Sequence, residues 1–190
     1  TYSATSKANG YYDTIFVTYY ATAKVSSVNT STKKIYFSKM AQGMKSSVTL
    51  DTDANDKLVY SITLNGEAVE LGAIQKDDIL SIAFDVSANE TDPAKAFDSS
   101  NFFEIYVSRD KVEGKYTGKD SDDKTVTVAG TAYEFVDDFK KADDMKISNE
   151  YTLYLDAFGK IYDYETLVSS AKYAIIDKYT KSSSDDYYKA

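Results

Sequence analysis

The sequence predicts an all-β protein with two tandem small β-barrel-like or β-sandwich-like units and short helical turns in the loops. Three observations favour this fold class. The apolar segments are rich in Val, Ile, Thr, Tyr and Phe, and many alternate with polar residues, as in a strand with one buried face. Turn sequences that contain Gly, Asn or Asp separate these segments. The same order of segments then occurs twice along the chain.

The first unit is predicted at residues 11–110, after a loosely ordered lead-in at residues 1–10. Residues 14–28 indicate one long strand, or two strands joined by a bend, because β-branched and aromatic residues dominate them. The other strands of this unit are predicted at residues 33–37, 47–50, 58–64, 68–71, 79–86 and 102–108. Asn65-Gly66 predicts a type I′ hairpin turn, since both residues tolerate a positive φ. Residues 87–101 contain the only Pro and predict a surface excursion with one helical turn.

The second unit is predicted at residues 111–180, followed by a polar tail at residues 181–190. Its clearest hairpin is YTLYLDAFGKIYDYE at residues 151–165, where Asp156 and Gly159 supply the turn. Residues 137–145 have the composition of a short helix. The other strands of this unit are predicted at residues 112–116, 125–128, 131–135 and 173–179.

The internal repeat is clearest where SITLNGEAVEL at residues 61–71 aligns without a gap to TVTVAGTAYEF at residues 125–135. The strand LSIAFD then aligns with the strand that ends at Asp156, and Ile105-Tyr106 aligns with Ile161-Tyr162. We therefore expect two copies of one β-unit.

Two further expectations depend on this repeat. The first copy is enlarged by insertions at residues 38–57 and 87–101. Residues 173–179 resemble residues 14–20 in composition, so the chain is expected to close on the first strand of a third unit, as a fragment of an array would.

Composition restricts the classes of function. The 190 residues carry a net charge of −8, whereas a nucleic-acid surface needs clustered Lys and Arg, so nucleic acid is not an expected partner. Cys and His are both absent, which excludes a disulfide framework, thiol nucleophiles, the Ser-His-Asp triad and the usual zinc sites. No catalytic residue, cofactor or metal is predicted.

The sequence contains no apolar run long enough to span a membrane, so membrane insertion of this segment is not expected. The N-terminus lacks the basic and apolar regions of a signal peptide. Because the chain begins at Thr1 rather than Met, we expect it to be a processed or excised piece of a longer protein.

Asp51, Asp53 and Asn55 form the sharpest candidate for a metal site, because a calcium loop places oxygen ligands at positions 1, 3 and 5. The pattern fails at Asp56, where Gly is expected, and at Ile62, where a bidentate Glu belongs. A solvated Asx-rich turn is the preferred interpretation, and a weak calcium site is left open. The same interpretation applies to the acidic turn with Asp120, Asp122 and Asp123.

Three tyrosine pairs could stack on sugar rings: Tyr11-Tyr12, Tyr19-Tyr20 and Tyr187-Tyr188. Tyrosines of β-proteins more often lie between core and surface, and we prefer that interpretation. Asp143-Asp144 could be an acid and base pair, but a solvated helix face is preferred because nothing places a second carboxylate pair opposite. A covalent cross-link of Lys to Asn or Asp, which some Gram-positive surface domains use, cannot be located from the sequence.

The order of VSRDKVEGKYTG at residues 107–118, TVTVAGTAYEF and the 151–165 hairpin resembles a repeated module of large cell-surface proteins of Gram-positive anaerobes, often associated with S-layer homology domains. Leu155, Asp156, Gly159, Lys160 and Ile161 match the last hairpin pattern of that module. The resemblance covers about residues 62–165. It implies an extracellular, wall-associated, all-β module with no catalytic residues to carry over.

Composition and resemblance together predict a non-catalytic structural module, a spacer or lattice component of a bacterial cell-surface or S-layer-associated protein. Abundant Tyr, Thr, Ser, Lys and Asp without Cys is typical of exported surface proteins. The expected partners are other modules of the same parent chain or components of the cell wall and surface layer. An adhesin or a carbohydrate-binding module of a secreted protein is the alternative.

Overall fold

The computed structural model describes residues 2–6, 12–17, 19–40, 45–85, 92–120, 124–137, 142–167, 180–181 and 188–189. These residues form an all-β structure. The strands are β1 (Tyr2–Ser6), β2 (Tyr12–Val17), β3 (Tyr19–Asn29), β4 (Lys34–Met40), β5 (Ser47–Thr49), β6 (Val59–Leu64), β7 (Glu67–Ala68), β8 (Ile79–Phe84), β9 (Phe102–Ser108), β10 (Lys111–Lys119), β11 (Thr125–Val128), β12 (Thr131–Glu134), β13 (Glu150–Leu155), β14 (Ile161–Thr166), β15 (Thr180–Lys181) and β16 (Tyr188–Lys189). The helical elements are α1 (Pro93–Ser99) and two 3-10 helices at Leu71–Ala73 and Ala142–Asp144.

The first sheet has seven strands in the order β5-β4-β3-β8-β9-β6-β7. Its neighbours are antiparallel except β6 and β9, which run parallel. Strand β8, with the sequence ILSIAF, is buried along its whole length because it lies in the middle of this sheet. The core on one side of the sheet includes Ile35, Leu50, Leu80, Ile82 and Ile105, all fully buried.

The second sheet has five antiparallel strands in the order β12-β11-β10-β13-β14. A single parallel bridge between Phe135 and Ile161 brings its two edges together at one point. Its core is separate from the first and includes Val126, Val128, Leu153 and Ile161. Neither sheet, within the described residues, closes into a barrel.

Gly114 of β10 allows the second sheet to fold over itself. A Cβ atom at this position would lie 2.7 Å from the Cβ atom of Ala129, in the β11–β12 turn. The turn itself needs φ values of 53° at Ala129 and 81° at Gly130. Close approach of the turn to β10 therefore requires a residue without a side chain at position 114.

Most predicted strands and turns are confirmed, including the type I′ turn at Asn65-Gly66, where φ is 54° and 82°. The 14–28 segment is two strands, β2 and β3. The predicted strand at residues 68–71 is wrong beyond Ala68, because Leu71 turns into the core and begins a 3-10 helix. The 87–101 excursion contains a seven-residue helix, longer than the expected single turn, with Asp92 as its N-cap.

Both chain ends differ from the prediction. The lead-in expected to be loosely ordered contains β1, which pairs with β2, since backbone pairing overrides the weak propensity of YSATS. The polar tail contributes β16, which pairs with β15. The strand predicted at residues 173–179 lies outside the described residues.

Candidate functional site

The two sheets meet at a junction formed around the connection between β9 and β10, which has only two residues, Arg109 and Asp110. Both residues are held. The Arg109 side chain bonds to the first sheet, and the Asp110 carbonyl accepts a hydrogen bond of 3.0 Å from the Leu155 backbone N–H at the end of β13. The connection is therefore part of the folded structure and not a free linker.

Arg109, the only arginine of the chain, forms a bidentate pair with the buried carboxylate of Asp78. The Arg109 Nε donates to Asp78 Oδ1 at 2.7 Å, and one terminal nitrogen donates to Oδ2 at 2.9 Å and to the Ala73 carbonyl at 2.8 Å. Asp78 Oδ2 also accepts the Gln75 backbone N–H. This geometry fixes the connection to the turn that precedes β8.

Two buried serines hydrogen-bond across the junction. Ser108 Oγ donates to the Leu155 carbonyl at 2.8 Å, and Ser81 Oγ accepts the Ala157 backbone N–H at 3.3 Å. Each serine lies on the face of the first sheet that points away from its core. At these two positions the outer face is therefore covered by the second sheet rather than by water.

Small residues make this coverage possible. Thr22, Ser81 and Ala83 occupy the outer face at neighbouring positions of β3 and β8, and all three are buried. Tyr162 of β14 lies at this junction with 0% of its surface exposed, and its hydroxyl is hydrogen-bonded to the backbone of Lys24. Burial raises the pKa of Tyr162 well above its ordinary value. Tyr162 belongs to neither hydrophobic core and instead joins the two sheets.

An aromatic cluster closes one side of the junction. Phe158, in the β13–β14 turn, makes an edge-to-face contact with Tyr20 at a centroid distance of 4.9 Å and lies 6.2 Å from Tyr106. The hydrogen bond to Glu104, together with partial burial, raises the pKa of Tyr106 to about 12. Because the contacts of Phe158 cross from one sheet to the other, its 53% exposure does not make it a free surface residue.

Two lysines line the opposite side of the junction. The Lys24 ammonium pairs with Asp77 at 3.4 Å and lies 5.6 Å from the centre of the Tyr154 ring in the second sheet. Lys111 lies 4.8 Å from the same ring. These cation–π contacts add modest attraction at a partly exposed position.

Asp156 shapes the turn that enters the junction. Its buried carboxylate accepts the backbone N–H groups of Phe158 and Lys160 at 2.9 and 2.8 Å. Burial nevertheless raises the pKa of Asp156 above its ordinary value, because the loss of solvation outweighs these two bonds. The turn is thereby fixed with Phe158 directed at Tyr20.

The calcium candidate is occupied by side chains of the protein itself. The Lys33 ammonium lies 2.8 Å from Asp53 and 3.8 Å from Asp51, and Asp51 also accepts the backbone N–H of Asp53. Asn55 bonds to Asn101 and to the backbone of Lys57. Among the described residues no group of acidic side chains is arranged to hold a metal ion.

The other acidic candidates are Asp120, Asp122 and Asp123, and Asp143 and Asp144. Asp120 accepts the backbone N–H groups of Lys124 and Thr125, and these bonds lower its pKa, while Asp122 and Asp123 lie outside the described residues. Asp143 and Asp144 are exposed on the second 3-10 helix.

Of the tyrosine pairs, only Tyr20 has a described side chain, and it packs against Phe158. The structure places Tyr12, Tyr19 and Tyr188 in strands, and it does not describe Tyr11 or Tyr187. No lysine whose side chain the structure describes is buried, and the Lys-to-Asn or Lys-to-Asp cross-link stays an untested possibility.

Sequence reasoning missed Arg109, Ser81 and Tyr162 as functional residues. Arg109 carried a signal, since the only arginine of the chain stands between the two units that the sequence predicts. Ser81 and Tyr162 carried none, because neither a serine in an apolar strand nor a tyrosine in a period-2 strand indicates contact with a second sheet.

Comparison of the chain with protein-family models, with curated proteins and with solved structures gave no match. The helices found among the described residues are too short and too polar to cross a membrane.

Proposed function

We propose that this protein is a rigid, non-catalytic spacer of a bacterial cell-surface or S-layer-associated protein, built from two tandem copies of one small β-barrel-like unit. In this proposal the copies are fused at Arg109 and Asp110, and the function is to keep a fixed distance and angle between the modules on either side. The contacts buried at the junction carry the proposal.

The order of the strands supports two copies of one unit. In the second sheet the chain runs from β10 to β11 and β12, and β13 and β14 return beside β10. In the first sheet β3 and β4 take the places of β10 and β11, and β8 and β9 those of β13 and β14. In the first sheet two strands share the place that β12 takes in the second, since β5 pairs with β4 and β6 pairs in parallel with β9. Phe135, directly after β12, likewise bridges β14 in parallel.

Irregularities in the first strand of each copy agree. The pairing of β3 with β4 shifts register between Lys24 and Val25 and again between Val25 and Ser27, and that of β10 with β11 shifts once, between Tyr116 and Gly118. A β-bulge at the same place in two sheets is a specific feature, since it re-aims every later side chain of the strand.

The turns that lead into β8 and β13 also form the same hydrogen bonds. Asp77 donates its N–H to the Val25 carbonyl, and Ser148 donates to the Tyr116 carbonyl, each at 2.9 Å. Asp77 and Ser148 both have a positive φ, of 70° and 75°. In this proposal the β11–β12 hairpin corresponds to β4 and β5, whereas the sequence alignment sets it opposite β6 and β7.

Stiffness is supported by the chemistry of the junction. Arg109, Ser108, Ser81 and Tyr162 each bond across or along it, and in the described residues no buried side-chain nitrogen or oxygen lacks a partner. Bending the connection would expose Ala83 and Tyr162 and separate these bonds, at a cost of several kcal/mol. An ordinary interdomain linker has no such penalty.

Stiffness can be tested by measuring distances between spin labels by pulsed electron paramagnetic resonance. Because the chain has no cysteine, labels can be attached at introduced cysteines alone. The pair Glu67→Cys and Thr131→Cys spans both sheets, and Glu67→Cys with Thr49→Cys lies within the first sheet as a control; all three positions are exposed. We expect both pairs to give equally narrow distance distributions. A broad distribution for the spanning pair alone would refute the spacer proposal.

The surface location is tested separately. Brief protease treatment of intact cells that produce the parent protein should release peptides of this chain. Their release only after lysis would contradict an extracellular location.

A further inference from the structure

A cavity of about 410 Å³ opens beside the first sheet, between β5, the turn at residues 50–58 and α1. Sites for small molecules occupy roughly 300–1,000 Å³, so this cavity is large enough for one. The junction does not use it, since none of its lining residues contacts the second sheet in the bonds described above.

Two stretches of chain found only in the first sheet form its walls. The turn at residues 50–58 separates β5 from β6, whereas Phe135 passes directly from β12 to its bridge with Ile161. Helix α1 lies in the β8–β9 connection, whereas β13 and β14 are joined by a tight turn. The turn at residues 50–58 and helix α1 lie side by side in the first sheet. In the second sheet, the backbone bridge between Phe135 and Ile161 closes the corresponding position.

The floor of the cavity is apolar and its rim is polar with both charges. Val48, Leu58, Phe97 and Phe103 contribute the floor. Phe97 is held by edge-to-face contacts with Phe84 and Phe103, so the floor is rigid.

At the rim, Lys45 and Asp98 form an ion pair of 3.0 Å with side chains 65% and 34% exposed. Lys34 and Asp51 balance each other in charge. The Asn55 amide, which bonds to Asn101 and to the Lys57 backbone, keeps one N–H and one oxygen lone pair for a further partner. Ser47 and Thr49, both on the edge strand β5, add hydroxyl groups.

We propose that this cavity binds a short saccharide of one or two sugar rings. A sugar ring presents C–H surface on its faces and hydroxyl groups that donate and accept around its edge, which matches an apolar floor with a rim of ammonium, carboxylate, amide and hydroxyl groups. The two lysines and two aspartates of the rim cancel, so the cavity has no excess positive charge for a phosphate or a nucleotide.

The test is a titration of the full chain with glucose, N-acetylglucosamine, maltose and chitobiose, followed by amide chemical shifts in NMR spectra. We expect at least one sugar to shift amides of residues 47–55 and 97–103. Lys45→Ala and Asp98→Asn should each weaken its binding at least about tenfold, the value of one charged hydrogen bond. Lys146→Ala, an exposed lysine of the second sheet, is the matched control and should leave binding unchanged.

Circular dichroism of each variant establishes that it is folded. The proposal is overturned if no sugar shifts these amides at millimolar concentration, if the shifts lie elsewhere, or if Lys146→Ala weakens binding as much as Lys45→Ala. It is also overturned if glycine, as a zwitterionic probe, shifts the same amides and the sugars do not. None of these outcomes affects the spin-label distances, so the spacer proposal stands or falls independently.

Discussion

Replacing Tyr162 by Ala tests whether the two sheets unfold as one cooperative unit. The side chain is wholly buried, and truncation of a buried aromatic residue to Ala costs about 3–5 kcal/mol in unfolding free energy. Tyr162→Phe keeps the ring and removes only the hydroxyl, which leaves its polar partner on the Lys24 backbone unpaired at a cost of about 1–3 kcal/mol. We therefore expect Ala to destabilise the protein more than Phe does.

The assay is urea unfolding followed by tyrosine fluorescence and by circular dichroism. Because Tyr162 lies between the two cores, its loss should uncouple them, so the two probes should no longer change together and the transition should broaden. Leu153→Ala is the control, since Leu153 is wholly buried inside the second core and its loss should cost about 2–5 kcal/mol without uncoupling the sheets. A single coincident transition for Tyr162→Ala, shifted by less than about 1 kcal/mol, would refute the reasoning.

Three further changes test other parts of the structure. Arg109→Ala leaves the buried Asp78 carboxylate without its cation and should lower the unfolding free energy by about 2–3 kcal/mol, between the values for surface and buried ion pairs. The urea midpoint measures this loss, and an unchanged midpoint would mean that water replaces the guanidinium. Gly114→Ala should cost about 1–3 kcal/mol from its clash with the neighbouring turn, whereas Gly118→Ala, with open space around its Cβ position, should lose little; equal losses would point to strand propensity instead. Burial raises the pKa of Asp156, so the folded state holds the carboxyl proton more tightly than the unfolded chain does. The stability that this group contributes is therefore present below the ordinary Asp pKa of 3.8 and is lost as the pH rises through the raised pKa. Asp156→Asn should flatten the part of the stability profile that begins at the ordinary Asp pKa and extends above it, and an unchanged profile would contradict the assignment.

The local elements were accessible from sequence because turn chemistry specifies them. Asn65-Gly66, Ala129-Gly130 and the Asp156 turn each contain residues that adopt a positive φ or bond their own backbone, and the strands between them follow the period of two. The structure confirms these turns. Element boundaries failed where a tertiary contact decided them, as at Leu71, whose side chain enters the core and ends the strand.

The sheet order was not accessible, because it depends on pairings between distant segments. The parallel pairing of β6 with β9 cannot be read from two apolar runs that look alike. The junction was hidden for a related reason. Thr22 looks like a solvent-facing residue of a half-buried strand, and Ser81 is a polar residue within an apolar run. Only the packing of the second sheet on that face shows what buries them.

The path of the chain through each sheet determines how the protein responds to tension. The chain enters the first sheet at Tyr19 and leaves at Ser108 from the opposite end, with β8 between the entering and leaving strands. It enters the second sheet at Lys111 and leaves at Thr166 in the same way, with β13 between. Force applied where the chain enters and leaves each sheet therefore loads the hydrogen bonds between its strands in shear. Many of these bonds must then break together, rather than one after another. A protein stretched between a cell and its surroundings would resist extension until a high force is reached and then yield abruptly.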